Sequence, residues 1–183
     1  FEGELKVLGK DPRTQRDALM NDVCFIADVA VLPRWITVAQ AIEFVAGVHP
    51  RFDAAKCQRF LEGTQLKPNL KVREMSKGMI VQLHLALVMA IDAKLLVLDE
   101  PTLGLDVLAR RELWGIIRSL KGRVTVILTT HYMEEAQSLC DRIAVMARGR
   151  LRAVGTVGEL MAQTKAPNFE EAFVSLCEKE ESL

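Results

Sequence analysis

The chain has 183 residues, 50% of them hydrophobic and 26% charged, enough and of the right balance for one substantial globular domain with a buried core. Its 24 basic residues cancel its 24 acidic ones, which leaves no net field to draw nucleic acid or anionic lipid. The longest nearly unbroken apolar run, 83–91, is too short to span a bilayer, Phe1-Glu2-Gly3-Glu4 carries no secretory pattern, and Cys24, Cys57, Cys140 and Cys177 form no CxxC pair, as expected of reduced thiols in a cytosolic protein.

Along the chain, 4–8 reads as a short strand ending at Gly9, and 23–27 (VCFIA) as a second one rich in β-branched and aromatic side chains. From 37 to 66 the pattern turns helical, with a break at His49-Pro50. Ser76 opens a helix through about Ile91 whose apolar residues cover almost every face, with Gln82 and His84 the main exceptions, so it is expected to be buried.

The second half alternates strand and helix. Residues 95–98 (LLVL) form a continuous apolar run, as in a central strand covered on both faces. Asp106 can cap the next helix, in which Leu113, Ile116, Ile117 and Leu120 fall at helical spacing before Gly122. Residues 124–128 (VTVIL) make the next strand, 133–139 a short helix, and 143–146 (IAVM) another strand. Arg148-Gly149-Arg150 then turns the chain into 151–154 as an antiparallel hairpin, and Asn168 with Glu171 forms a capping box for a C-terminal helix. The order is α/β, with a helical insertion between the second strand and LLVL.

Three places carry chemistry. An apolar strand ending in Asp99-Glu100-Pro101 delivers two adjacent carboxylates to its C-terminal end, where ligands sit in open parallel sheets. The first can hold Mg²⁺ through water and the second can orient the attacking water of phosphoryl transfer; a solvated acidic turn gives the same pattern. The next strand runs out in Thr129-Thr130-His131, where a histidine either reaches toward a γ-phosphate or is an ordinary surface side chain. Ser76-Lys77-Gly78 puts a hydroxyl, an ammonium and a glycine at a helix N-terminus, an anion site in principle and otherwise a plain serine cap.

In this order and spacing the motifs resemble those of the ABC-transporter ATPase family. Met75-Ser76-Lys77-Gly78-Met79 resembles its LSGGQ signature, most like the SKGM form in the branch that serves ABC-2-type exporters. Residues 95–100 resemble the Walker B motif, 103–106 the D-loop, His131 the switch histidine, and Arg148-Gly149-Arg150 with 151–155 the family's RGR-xxxxG hairpin. Residues 1–8 read like the strand just after the P-loop helix. The fold this implies is α/β, a P-loop NTPase-like parallel sheet core with a helical insertion subdomain and a C-terminal β-hairpin and helices. It would be one ABC ATPase domain over 1–183, with 1–35 and 92–183 as core and 36–91 as the helical, signature-bearing part.

The sequence departs from the family pattern in three ways. No GxxxxGK[ST] occurs anywhere, which is expected of a chain cut short at its N-terminus, ahead of which the family's Walker A loop lies. Asp28 stands where the Q-loop glutamine belongs and, unlike an amide, cannot donate a hydrogen bond. Met79 replaces the signature's final glutamine, and Gln82 and Leu87 replace arginines usual later in that helix.

By resemblance, the cofactors are ATP and Mg²⁺. Asp99 would bind Mg²⁺ through water, Glu100 would polarise the hydrolytic water and His131 would steady the γ-phosphate. Ser76, Lys77 and Gly78 would meet ATP held by a second ABC ATPase domain docked head to tail, with Asp106 crossing the interface. Closure would drive a transmembrane permease subunit through the helical insertion and the loop around Asp28. The expected location is cytoplasmic, peripheral on the inner face of the membrane. Without a P-loop of its own, this chain taken alone is expected to bind ATP poorly and not to hydrolyse it. A soluble ABC ATPase without a permease, or a degenerate, non-catalytic ABC module, is the alternative.

Overall fold

The computed structural model describes residues 2–27 and 32–178. They fall into two compact units, Phe1–Thr129 and Thr130–Leu183, each with its own architecture.

The first unit begins differently from the expectation. No strand forms over 4–8; instead Val7 and Lys10 exchange a reciprocal pair of backbone hydrogen bonds, both 2.9 Å, around Leu8 (φ 50°) and Gly9 (φ 76°). Two consecutive positive φ values close a tight two-residue turn, and a segment folded onto itself in this way cannot run on as a ladder strand. A short helix that the sequence does not announce, α1 (Arg16–Met20), follows.

Strand β1 (Val23–Ile26) leads into the helical insertion of α2 (Val38–Val48), α3 (Ala54–Leu61) and α4 (Lys77–Met89). Thr37 and Gln40 make a reciprocal capping box on α2, and the Asp53 carboxylate accepts from Lys56 N at 2.9 Å to cap α3. Between them His49 is extended, as the residue before a proline must be. The core of this region gathers Val38, Ala41, Cys57, Leu66, Leu83, Ala86 and Leu87, and burial pushes the Cys57 thiol up to about 11. Helix α4 buries Val81, Leu83, Leu85, Ala86 and Leu87, residues from more than one side of its cylinder, as its all-round apolar pattern requires.

Strand β2 (Leu95–Asp99), helix α5 (Val107–Ser119) and strand β3 (Thr125–Thr129) complete the unit. The three strands form a parallel sheet in the order β1-β2-β3, so β2 is central among the described strands. Leu95, Leu96 and Leu98 of β2 are buried. Phe25, Val97 and Ile127 share one register row across the sheet, and on that face Phe25 is 61% and Ile127 50% exposed.

Asp22, just before β1, ties distant segments together. Its buried carboxylate takes Arg51 Nη2 at 2.9 Å, Lys10 Nζ at 3.3 Å and Lys94 Nζ at 3.5 Å, while its carbonyl accepts from Lys94 N and Leu95 N. Burial by itself would raise this carboxyl; Arg51, Lys10 and Lys94 outweigh burial and hold it below its ordinary value.

The second unit consists of α6 (Met133–Leu139), the antiparallel pair β4 (Ile143–Ala147) and β5 (Arg150–Gly155), α7 (Val157–Thr164) and α8 (Phe169–Glu178). Arg148 (φ 52°) and Gly149 (φ 73°) make the hairpin turn. Thr156 and Glu159 box the start of α7, and Asn168 Oδ1 accepts from Glu171 N at 2.9 Å at the start of α8. Val145, Leu160, Phe169, Ala172 and Leu176 are buried together as its core.

Candidate functional site

Asp99 is the last residue of β2, and its register partner in β3 is Thr129. The Thr129 hydroxyl donates to Asp99 Oδ1 at 2.5 Å and accepts from Glu100 N at 3.2 Å, and Glu100 N also donates to the Thr129 carbonyl at 3.1 Å. Glu100 takes φ 47°, in the left-handed region, so the chain breaks sharply out of the strand at that residue. A tight loop follows, in which Leu103 N bonds the Glu100 carbonyl and Leu105 N the Thr102 carbonyl, both at 3.1 Å, with Pro101 and Thr102 buried beneath. The Asp99 carboxylate and the backbone of Glu100 are thereby held at the C-terminal end of the central strand.

Asp106 closes that loop and starts α5. Its Oδ1 accepts from Leu108 N at 2.9 Å and Ala109 N at 3.0 Å, and Oδ2 takes no part in the cap. Ser76 caps α4 in the same manner, accepting from Met79 N at 3.2 Å. These two helix starts lie against each other. A Cβ built on Gly78 would stand 3.1 Å from Ala109 Cβ, and one on Gly104 (φ 72°) would stand 3.6 Å from Lys77 Nζ. Lys77 therefore lies across Gly104, which places Ser76, Lys77 and Gly78 beside the loop that runs from Glu100 to Asp106. Further along the same helix pair, Gln82 Nε2 donates to Glu112 Oε2 at 2.9 Å.

His131 belongs to the second unit, two residues past the end of β3; it is exposed, with its ring 4.2 Å from that of Tyr132. Asp28 lies outside the described residues, two positions after β1 ends. Sequence reasoning missed Thr129; the only local sign of it is a polar residue at the very end of an apolar strand.

Among the described residues no group of three or more His, Cys, Asp or Glu is arranged to hold a metal ion. Asp99 could reach a cation here through water, leaving the rest of the shell to other oxygens. That suits Mg²⁺, which keeps several waters and takes only one or two carboxylates.

The family model described as "AAA domain, putative AbiEii toxin, Type IV TA system" matches residues 28–135, more than half of the chain. The chain belongs to this AAA-type ATPase family. Its domain matches the ATP-binding domains of ABC transporters. It is 37% identical over 168 residues to the daunorubicin resistance ATP-binding protein DrrA3 of Streptomyces coeruleorubidus, covering 88% of this chain and 53% of that one. It is also 37% identical over 186 residues to the probable multidrug ABC transporter ATP-binding protein YbhF of Escherichia coli, covering 95% and 32%. A third relative, the retinal-specific phospholipid-transporting ATPase ABCA4 of Bos taurus, is 37% identical over 159 residues, covering 84% and 7%. The chain thus spans between 7% and 53% of the length of these curated relatives. A solved ATP-binding subunit of an ABC transporter superposes with a TM-score of 0.84 over 96% of this chain and 76% of that one, at 23% identity, which establishes the fold.

Proposed function

We propose that this ATPase domain serves an ABC transporter, closing head to tail with a second ABC ATPase domain on ATP and driving a transmembrane permease subunit. The observation that carries the reading is the pair Asp99 and Glu100 at the C-terminal end of the central strand, where ligands of open parallel sheets bind. Asp99 would hold Mg²⁺ through water, and that ion, when bound with ATP, would offset the charge developing on the phosphate oxygens. Glu100 would orient the attacking water and receive its proton. His131 would steady the γ-phosphate.

Ser76, Lys77 and Gly78 would meet the γ-phosphate of ATP held by the other domain. The Ser76 oxygen accepts from Met79 N, but its hydroxyl proton remains available to an anion, and the first turn of α4 adds the partial positive charge of a helix N-terminus. Asp106 Oδ2, outside the α5 cap, would be the oxygen that reaches across the domain interface. The Asp28 position and the helical insertion would carry the motion to the permease. This domain would be held at the cytoplasmic face through the permease; no helix among the described residues is long and apolar enough to cross a membrane.

The test is ATP hydrolysis by a form of the chain carrying a GxxxxGK[ST] segment ahead of residue 1, with and without Glu100→Gln. Mg²⁺-dependent turnover is expected, with the variant slower by about two orders of magnitude or more while still binding ATP, the scale of a positioned base. A variant as fast as its parent overturns the role of Glu100. The 183-residue chain alone is expected to bind ATP only weakly and to release no phosphate, and micromolar affinity in calorimetric titration overturns that expectation.

A further inference from the structure

The geometry points to Thr129 as the positioning residue of the acidic pair: one hydroxyl, contributed by the neighbouring strand, sets the orientation of both Asp99 and Glu100. A hydroxyl can donate once and accept as well, and Thr129 uses both capacities on adjacent residues, giving its proton to Asp99 Oδ1 and taking the amide proton of Glu100. The Glu100 amide is shared with the Thr129 carbonyl, so β3 grips the first residue of the loop twice. That residue stands at φ 47°, a conformation that a side-chain-bearing residue keeps only where its surroundings hold it. The hydroxyl itself has little freedom. Thr129 is the direct parallel-register partner of Asp99, and β-branching restricts its χ1.

The consequence for the chemistry rests on the reading that Asp99 and Glu100 serve ATP hydrolysis. With Oδ1 turned to Thr129, Asp99 has Oδ2 for a cation or its water. With its amide pinned, Glu100 leaves the strand in one direction, and its carboxylate is presented from a fixed backbone. Thr129 touches neither nucleotide nor water in this scheme; it acts through the two acids.

The experiment compares the 183-residue chain, labelled with ¹⁵N, with its Thr129→Val and Thr129→Ser variants. Valine keeps the shape and the branch and removes the hydroxyl; serine keeps the hydroxyl and removes the branch. Amide exchange at Glu100 is expected to quicken about three- to tenfold in the valine variant, the scale of one hydrogen bond, and to return to the parent rate with serine, while melting temperatures stay within a few degrees. Should valine disturb folding, alanine against serine makes the same comparison. Unchanged Glu100 exchange without the hydroxyl, or no rescue by serine, overturns the proposal.

Titration with Mn²⁺ separates this inference from the functional reading beneath it. Paramagnetic broadening centred on Asp99 is expected in the parent, with its midpoint shifted about three- to tenfold upward in the valine variant. Broadening that is equally strong in both overturns the hold of Thr129 on Asp99. A parent with no local broadening counts instead against Asp99 as the metal carrier, and the Glu100 exchange rates then decide the Thr129 proposal by themselves.

Discussion

Gly78 in the first turn of α4 and Ala109 in the first turn of α5 approach so closely that a methyl on the glycine would lie 3.1 Å from the Ala109 Cβ. A glycine inside a signature-like motif invites a phosphate explanation, and this contact supplies a packing one alongside it. In Gly78→Ala the helix gains intrinsic propensity of about 1 kcal/mol, while overpacking costs about 1–3 kcal/mol. The expected net loss is about 1 kcal/mol by urea unfolding. Ala109→Gly in the same chain should recover a favourable coupling of at least about 0.5 kcal/mol. Strict additivity of the two changes would mean that the helices move apart freely.

The carboxylate of Asp22 is held below its ordinary value, with three cations outweighing the effect of burial. The stability it contributes is therefore fully present above the unfolded value of 3.8 and is lost as pH falls through its lower folded value. Asp22→Asn should be clearly less stable than the parent at pH 7, and the difference should shrink steadily below about pH 4. Urea titrations at pH 7 and pH 3 measure it. A gap that persists undiminished at pH 3 would assign the loss to packing rather than to charge.

Glu100 pays for its place with a left-handed backbone, a strain of about 1–3 kcal/mol for a residue with a side chain. Glycine tolerates that conformation and a β-branched residue does so worst. Thermal unfolding should accordingly find Glu100→Gly at least as stable as the parent and more stable than Glu100→Val by about 2 kcal/mol. Equal melting of the two variants would show that the loop relaxes and stores no strain.

His84 lies on the apolar helix α4, and burial lowers its pKa from 6.5. The folded state keeps the ring neutral while the unfolded chain protonates first, so stability falls as pH drops from about 6.5 toward the folded value. His84→Gln should flatten that part of the stability profile, measured between pH 7.5 and pH 5. An unchanged slope would exclude His84 as its source.

Much of this architecture was legible because it rests on local signals. LLVL and VTVIL are apolar runs of strand length, α4 is apolar all round, and Asp106, Ser76 and Asn168 cap the helices they precede. Residues 4–8 misled because their alternation of polar and apolar side chains suits a strand, whereas Leu8-Gly9 turns the backbone before any partner is met. Helix α7 starts at a Thr156-x-x-Glu159 box, a local signal present in the sequence between the hairpin and α8. Thr129 and the Asp22 cluster were beyond local reading. Their partners come from distant segments, and only the register of a folded sheet brings a strand-end hydroxyl opposite Asp99.

The open row of Phe25, Val97 and Ile127 bears on how the polypeptide behaves in bulk. Parallel sheets ordinarily bury both faces, and here two large side chains of one row meet water. Water released when two such faces meet favours self-association without any unfolding. Light scattering should therefore rise with protein concentration while the circular dichroism stays native, and more steeply at high sulfate than in dilute buffer. Replacing Phe25 and Ile127 with threonine, which keeps strand propensity, should raise the solubility limit and leave the melting temperature nearly unchanged.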